Sequence, residues 1–217
     1  MDKRAHRDTS GKTLEDYPRP SVAVDTAVLT VDPAAGLVVL QVRRTRGRGW
    51  ALPGTFLHEG ELLADAVRRS LADKADVHGL EPRQLHVFDA LKRDNRGRVL
   101  SVAHLAVVPA GRLATRSAAS TRLVSTDIHG ELAFDHDEII ALAVADARAR
   151  YEKSPDPDHL LGEAFSLRDL RLVHEAVAGH ALQRDNFRRA MADQLKATGE
   201  FTAGGRGRPA ELFRRSM

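Results

Sequence analysis

Residues 52–77, LPGTFLHEGELLADAVRRSLADKADV, constrain this chain more than any other stretch. A Pro53-Gly54 turn leads into a loop that ends at Gly60-Glu61, and residues 61–75 then carry helical periodicity. Leu63, Ala66, Val67, Ser70 and Leu71 fall on one side of that helix, the spacing of a buried stripe. Positions 70, 73 and 74 are spaced i, i+3 and i+4, so the same helix gathers Ser70, Asp73 and Lys74 toward one side. An amphipathic helix of this length needs a partner surface to bury its apolar side.

The segments around it supply that surface. Residues 21–31 (SVAVDTAVLTV) and 37–42 (LVVLQV) are rich in β-branched and aliphatic residues and flank a DPAAG turn, which predicts a hairpin. Residues 84–91 and 99–108 predict two more strands joined by the turn-rich RDNRG, and 123–126 a short one. Residues 135–151 predict a helix with acids at its start and Arg148 and Arg150 near its end, as the helix dipole prefers. The SPDPD run at 154–158 is the strongest break in the chain and sets the expected domain boundary.

Beyond that break the pattern changes. Ser166 stands three residues before Asp169, a capping-box spacing, and Gly179 supplies a stop. A second helix is expected over 184–195, with Phe187, Ala190, Met191 and Leu195 inward and Arg184, Asn186, Arg188 and Arg189 outward. A short turn followed by a helix with Arg and Asn outward suits major-groove reading. Residues 200–202 and 210–214 then read as strands around the loop Gly204-Gly205-Arg206-Gly207-Arg208. Its glycines let the backbone approach phosphates, and its arginines neutralise them. Arg184, Asn186, Arg188, Arg189, Arg206, Arg208 and Arg214 are the expected DNA contacts. A small helical dimerisation domain is the alternative for this segment.

Composition narrows the class. The 217 residues are 42% hydrophobic and 29% charged, which calls for a packed core rather than disorder. The absence of cysteine removes disulfides and thiolate metal sites. The first 16 residues are polar and charged and read as a flexible leader rather than a signal peptide. No apolar run reaches the ~20 residues that span a bilayer, and a soluble, cytoplasmic protein is expected. The net charge is only +3, but residues 201–217 hold four arginines against one acid, so an anionic partner is expected at that end.

Residues 52–77 resemble the Nudix box, Gly-x5-Glu-x7-Arg-Glu-U-x-Glu-Glu-x-Gly-U, where U is aliphatic. Gly60-Glu61, Arg69, Leu71 and Val77 match it, and Trp50 and Leu52-Pro53-Gly54 resemble its approach. Thr55 and Asp76 replace two of its glycines, and Ser70, Asp73 and Lys74 replace three glutamates. Nudix hydrolysis needs divalent ions on such carboxylates. Two of these three carboxylates are gone, one is shortened, and Lys74 brings a positive charge. No metal site and no cofactor are therefore expected. Lys74 would partly take the metal's electrostatic role toward a diphosphate; a solvated helix lysine is the plainer reading.

A damaged Nudix box followed by a winged helix resembles the Nudix-related transcriptional regulators of NAD metabolism. Tyr17-Pro18-Arg19-Pro20 and the stretches 132–139 and 207–214 are also similar to that family. The resemblance implies an α+β chain: a leader (1–16), a Nudix α/β/α sandwich with a mixed sheet (17–153) and a C-terminal winged helix-turn-helix domain (154–217). It implies a homodimeric repressor of NAD biosynthesis or salvage genes whose double-stranded DNA operator is released when ADP-ribose binds. Expected ADP-ribose contacts are Arg43 and Arg44 at a strand end, Phe56, His58 and Glu61 in the box loop, Lys74, and Asp135 and His136 at a helix start. Solvated strand ends, core packing for Phe56 and helix capping for His136 are the competing readings. An active hydrolase of ADP-ribose or a related nucleoside diphosphate, with Glu61 and Asp73 holding one Mg²⁺, is the alternative function, and an RNA-binding or scaffolding role a third.

Overall fold

Strands β1 (Ser21–Asp32) and β2 (Gly36–Arg43) are apolar on both faces, and the structure uses both. The computed structural model describes residues 6–45, 47–203 and 209–216. In β1, Ala27 and Leu29 point to one side of the sheet and Val24 and Val28 to the other; in β2, Leu37 and Val39 oppose Leu40 and Val42. This is the two-residue side-chain period acting on a sheet covered on both faces.

Elements β3 (Trp50–Ala51), β4 (Gly54–Phe56), α1 (Leu63–Ala75), β5 (Arg83–Phe88), β6 (Val99–Val107), β7 (Thr121–Ser125) and α2 (His136–Tyr151) complete the first unit. The sheet has seven strands in the order β3-β2-β1-β6-β5, with β4 pairing β1 and β7 pairing β2. Strands β1 and β6 run parallel and the other pairs antiparallel, so the sheet is mixed, as expected. Helix α1 covers one face through Ala66, Val67, Leu71 and Ala75. Helix α2 covers the other through Ile139, Ile140, Ala143 and Ala147.

The C-terminal unit holds β8 (Phe165–Ser166), α3 (Leu167–Ala178), α4 (Arg184–Met191), β9 (Leu195–Phe201) and β10 (Glu211–Arg215). Strands β8, β10 and β9 form a small antiparallel sheet. Ser166 and Asp169 close the capping box at α3. Gly179 ends the helix at φ 80°, and a Cβ there would meet Arg148 Nη2 at 2.9 Å. Phe165, Leu170, Phe187 and Met191 make the core of this unit.

Two expectations change. The second helix stops at Met191 and a 3-10 turn follows, because Leu195 enters β9 and packs under the core instead of ending the helix. Ala190 is exposed rather than inward, since that short helix buries only Phe187 and Met191.

Helix α3 also belongs to both cores. Leu170 faces the small C-terminal core, whereas Val177, fully buried, and Val173 pack against the sheet layer beside α2. Arg148 of α2 donates from Nε to Val177 O at 3.0 Å. Asp156 ties the same junction: its carboxylate accepts from Leu160 N, Leu161 N and Arg215 Nη2 at 2.8, 2.9 and 2.5 Å. Arg215, counted above in the basic tail, is therefore turned inward rather than free for a partner.

Candidate functional site

A cavity of about 400 Å³ opens over the sheet beside α1. Arg43, Arg44, Phe56, Lys74 and His136 of the expected ligand residues line it. His58, Glu61 and Asp135 are not on its wall. His58 is exposed and its backbone N–H donates to Glu61 Oε2 at 2.9 Å. Asp135 instead receives Arg93 Nε and Nη2 at 2.8 and 2.6 Å.

Glu61 is held by the box arginine. Arg69 Nε and Nη2 reach its two oxygens at 2.7 and 2.8 Å, while the same guanidinium bonds Thr55 Oγ1 and Phe56 O. The Arg69 hydrogen bonds, and next the His58 amide, bring the Glu61 carboxyl down to about 2. This clamp fixes the box loop against α1.

The cavity floor carries residues that the sequence did not point to. Asp25 is buried on β1, and its carboxylate accepts from Ser101 Oγ at 2.5 Å and faces His136 Nε2 at 3.3 Å and Arg93 Nη2 at 3.5 Å. Burial opposes its charge, but hydrogen bonds from His136 and Ser101 and the field of Arg93 hold the carboxyl below its usual range. Gly54 makes room for this group, because a Cβ there would collide with the Asp25 carboxylate. The backbone fits only glycine at that approach.

Lys74 enters from α1. The residue as a whole is exposed, while its ammonium donates to Gly54 O. Lost hydration lowers its pKa; Asp25 opposes the fall, and Arg69 and Arg96 reinforce it. Arg93 and Arg96 add two more cations to the lining. Among the described residues five cations there face three carboxylates, Asp25, Asp73 and Asp94. Such an excess inside a concave site focuses a field that attracts anions.

The donor set does not suit a divalent cation. Ser70 is buried and its hydroxyl has no hydrogen-bond partner among the described residues. Glu61 spends both oxygens on Arg69, and Lys74 places an ammonium where an oxygen ligand would be required. No cluster of three or more His, Asp or Glu suited to a metal occurs among the described residues.

On the C-terminal unit, Arg184, Asn186, Arg188 and Arg189 of α4 and Arg214 of β10 are each exposed. Arg189 Nη2 donates to Asn186 Oδ1 at 2.5 Å, so these two already share a surface. Arg206 and Arg208 lie outside the described residues. Among the described residues no helix is long and apolar enough to cross a membrane.

Comparison with known proteins follows the same division. The NUDIX domain family matches residues 21–152, and the NrtR DNA-binding winged helix domain matches residues 157–215. Over 210 residues the chain is 29% identical to the ADPR responsive transcriptional repressor NtrR of Acinetobacter baylyi, covering 92% of this chain and 83% of the relative. It is 31% identical over 125 residues to the ADP-ribose pyrophosphatase of Methanocaldococcus jannaschii, covering 57% and 73%. The crystal structure of Shewanella oneidensis NrtR complexed with a 27mer DNA superposes with a TM-score of 0.74 at 31% identity, covering 90% of this chain and 93% of that one.

Proposed function

The chain belongs to the Nudix family, with an NrtR-type DNA-binding winged helix at its C-terminal end, and from that premise we propose that it is an ADP-ribose-responsive transcriptional repressor. The observation that carries this is the joint match: both units, in the same order, align with a DNA-bound NrtR over nine-tenths of the chain. A repressor relative that responds to ADP-ribose, aligned over 92% of the chain, points the same way.

The chemistry of the two surfaces supports it. A diphosphate meets an excess of positive charge in the cavity, and the exposed Arg and Asn of α4 suit a base edge and its flanking phosphates. Binding without turnover is the reading we favour for the cavity. Lys74 attracts phosphate as a point charge, but it cannot activate a water as a metal ion does.

The protein would act as a homodimer on a palindromic operator of NAD biosynthesis or salvage genes, in the cytoplasm. Ligand and operator are then linked through one free energy: a coupling of ~1–3 kcal/mol changes operator affinity ~5- to 150-fold. A gel shift on the protein's own promoter region, with and without ADP-ribose, tests the proposal. Specific retardation that ADP-ribose relieves is the expected result. Unchanged retardation rejects the effector, and no specific retardation rejects the repressor.

A further inference from the structure

The mouth of the cavity holds a ring that ordinary packing does not explain. Phe134 is 42% exposed, lines the cavity, and has a φ of 61°. A left-handed backbone is unfavourable for a bulky residue and persists where surrounding structure imposes it. The ring is neither buried for core energy nor relaxed in its backbone.

Its neighbours are two guanidinium groups and an imidazole ring. Arg96 lies 5.3 Å from the Phe134 ring centroid and 5.0 Å from that of Phe56. The His136 ring sits 5.6 Å from Phe134, tilted by 56°. Arg44 is also close, 5.7 Å from the Phe134 centroid.

The two arginines are held very differently. Asp94, whose side chain is 2% exposed, takes Arg96 Nη2 at 2.6 Å, Arg96 Nε at 2.9 Å and the Arg96 backbone N–H at 2.9 Å. Removing Arg96 would leave a buried carboxylate unpaired, so this guanidinium is fixed. The Arg44 side chain makes one hydrogen bond among the described residues, from Nη1 to Arg48 O at 3.4 Å.

We propose that Phe134, with Arg96 fixed beside it, is the stacking seat for the purine base of the ligand, and that Arg44 occupies this seat until the base displaces it. The displaced Arg44 then turns to the diphosphate. This rests on the ADP-ribose reading above and adds which residues recognise its base. A neutral, electron-rich base suits a ring flanked by guanidinium groups, as stacked base–aromatic–arginine contacts do elsewhere. Asp94 is a positioning residue: it acts by holding Arg96.

Calorimetric titration of the full chain with ADP-ribose tests this with Phe134→Leu and Phe134→Trp. Leucine keeps apolar volume without a flat face, and tryptophan keeps the face. Leucine is expected to weaken binding about tenfold, while tryptophan stays within about twofold of the original. Binding that survives leucine, or is lost equally with leucine and tryptophan, overturns the stacking seat while leaving the effector in place. Failure of the unsubstituted chain to bind ADP-ribose overturns the proposed function first, and this inference with it.

Discussion

Asp25 and His136 face each other across the cavity floor at 3.3 Å, and a backbone amide decides how they share a proton. Leu52 N–H donates to His136 Nδ1 at 2.9 Å, which leaves Nε2 to carry hydrogen toward the Asp25 carboxylate. The pair links β1, β3 and the start of α2 without free capacity on the ring. Asp25→Asn keeps the shape but removes the charge that Arg93 and His136 face. Arg93 keeps its two bonds to Asp135, so what is lost is charge-assisted hydrogen bonding worth ~1.5–3 kcal/mol, and urea denaturation should show the midpoint falling accordingly.

Gly54→Ala should be nearly as harmful, although it adds a single methyl group. The new carbon meets the Asp25 carboxylate, which is itself fixed by Ser101. Overpacking of this kind costs ~1–3 kcal/mol. Thermal melting is expected to fall by several degrees and ADP-ribose affinity to fall with it, since Gly54 lines the cavity.

Lys74→Ala is expected to weaken ADP-ribose binding about tenfold, the size of one lost charge-assisted contact. Isothermal titration at low and moderate salt should show the gap between the two proteins narrowing as ionic strength rises. Unchanged affinity would mean that the lysine does not touch the diphosphate. In the same preparation, no release of AMP is expected with Mg²⁺ or Mn²⁺; turnover would favour the hydrolase reading.

His174 gives the junction between the two units a pH dependence. It is buried, accepts Asp156 N–H at Nε2 at 3.2 Å, and stacks edge-on with Tyr151 and Phe187. Burial brings its pKa to about 4, with Asp156 and the Tyr151 backbone opposing the fall. An unfolded histidine takes up a proton near 6.5, so the folded state loses ground as the pH drops below that value. The contribution is fully present above pH ~6.5 and lost by about pH 4, up to ~3 kcal/mol in all. Denaturation midpoints between pH 7 and 4.5 should fall more steeply for the original chain than for His174→Phe.

Arg188→Ala and Arg206→Ala should each weaken operator binding. If each removes one phosphate contact, the slope of log K against log salt drops by ~0.9. Filter binding across a salt series reads this directly, and an unchanged slope would remove that residue from the DNA surface.

How much was legible follows from how local each signal is. The box loop and α1 were readable because Gly60-Glu61, Arg69 and the apolar stripe sit within one turn and one helix. The capping box of Ser166 and Asp169 was readable for the same reason. The cavity floor was not. Arg93 meets Asp135 across 42 positions and Asp25 across 68, so a loop between β5 and β6, the start of α2 and the middle of β1 have to be brought together by the fold. Phe134 stood inside a recognisable stretch, but its left-handed backbone leaves no mark in spacing. Leu195 was misplaced because an apolar residue in register with a helix stripe serves equally well as the first residue of a strand.

The double membership of α3 has a consequence for how such a protein is taken apart or recombined. The helix spans 12 residues, and Val177 near its end fills a place in the sensor's own core. A crossover at the SPDPD run, which looks like the natural seam, would therefore cut the sensor away from a piece of its own interior. A chimera that keeps α3 of this chain with its sensor and grafts a foreign reader after Gly179 preserves that packing. Neither end of α3 is a clean seam, because Leu170 of the same helix fills the C-terminal core.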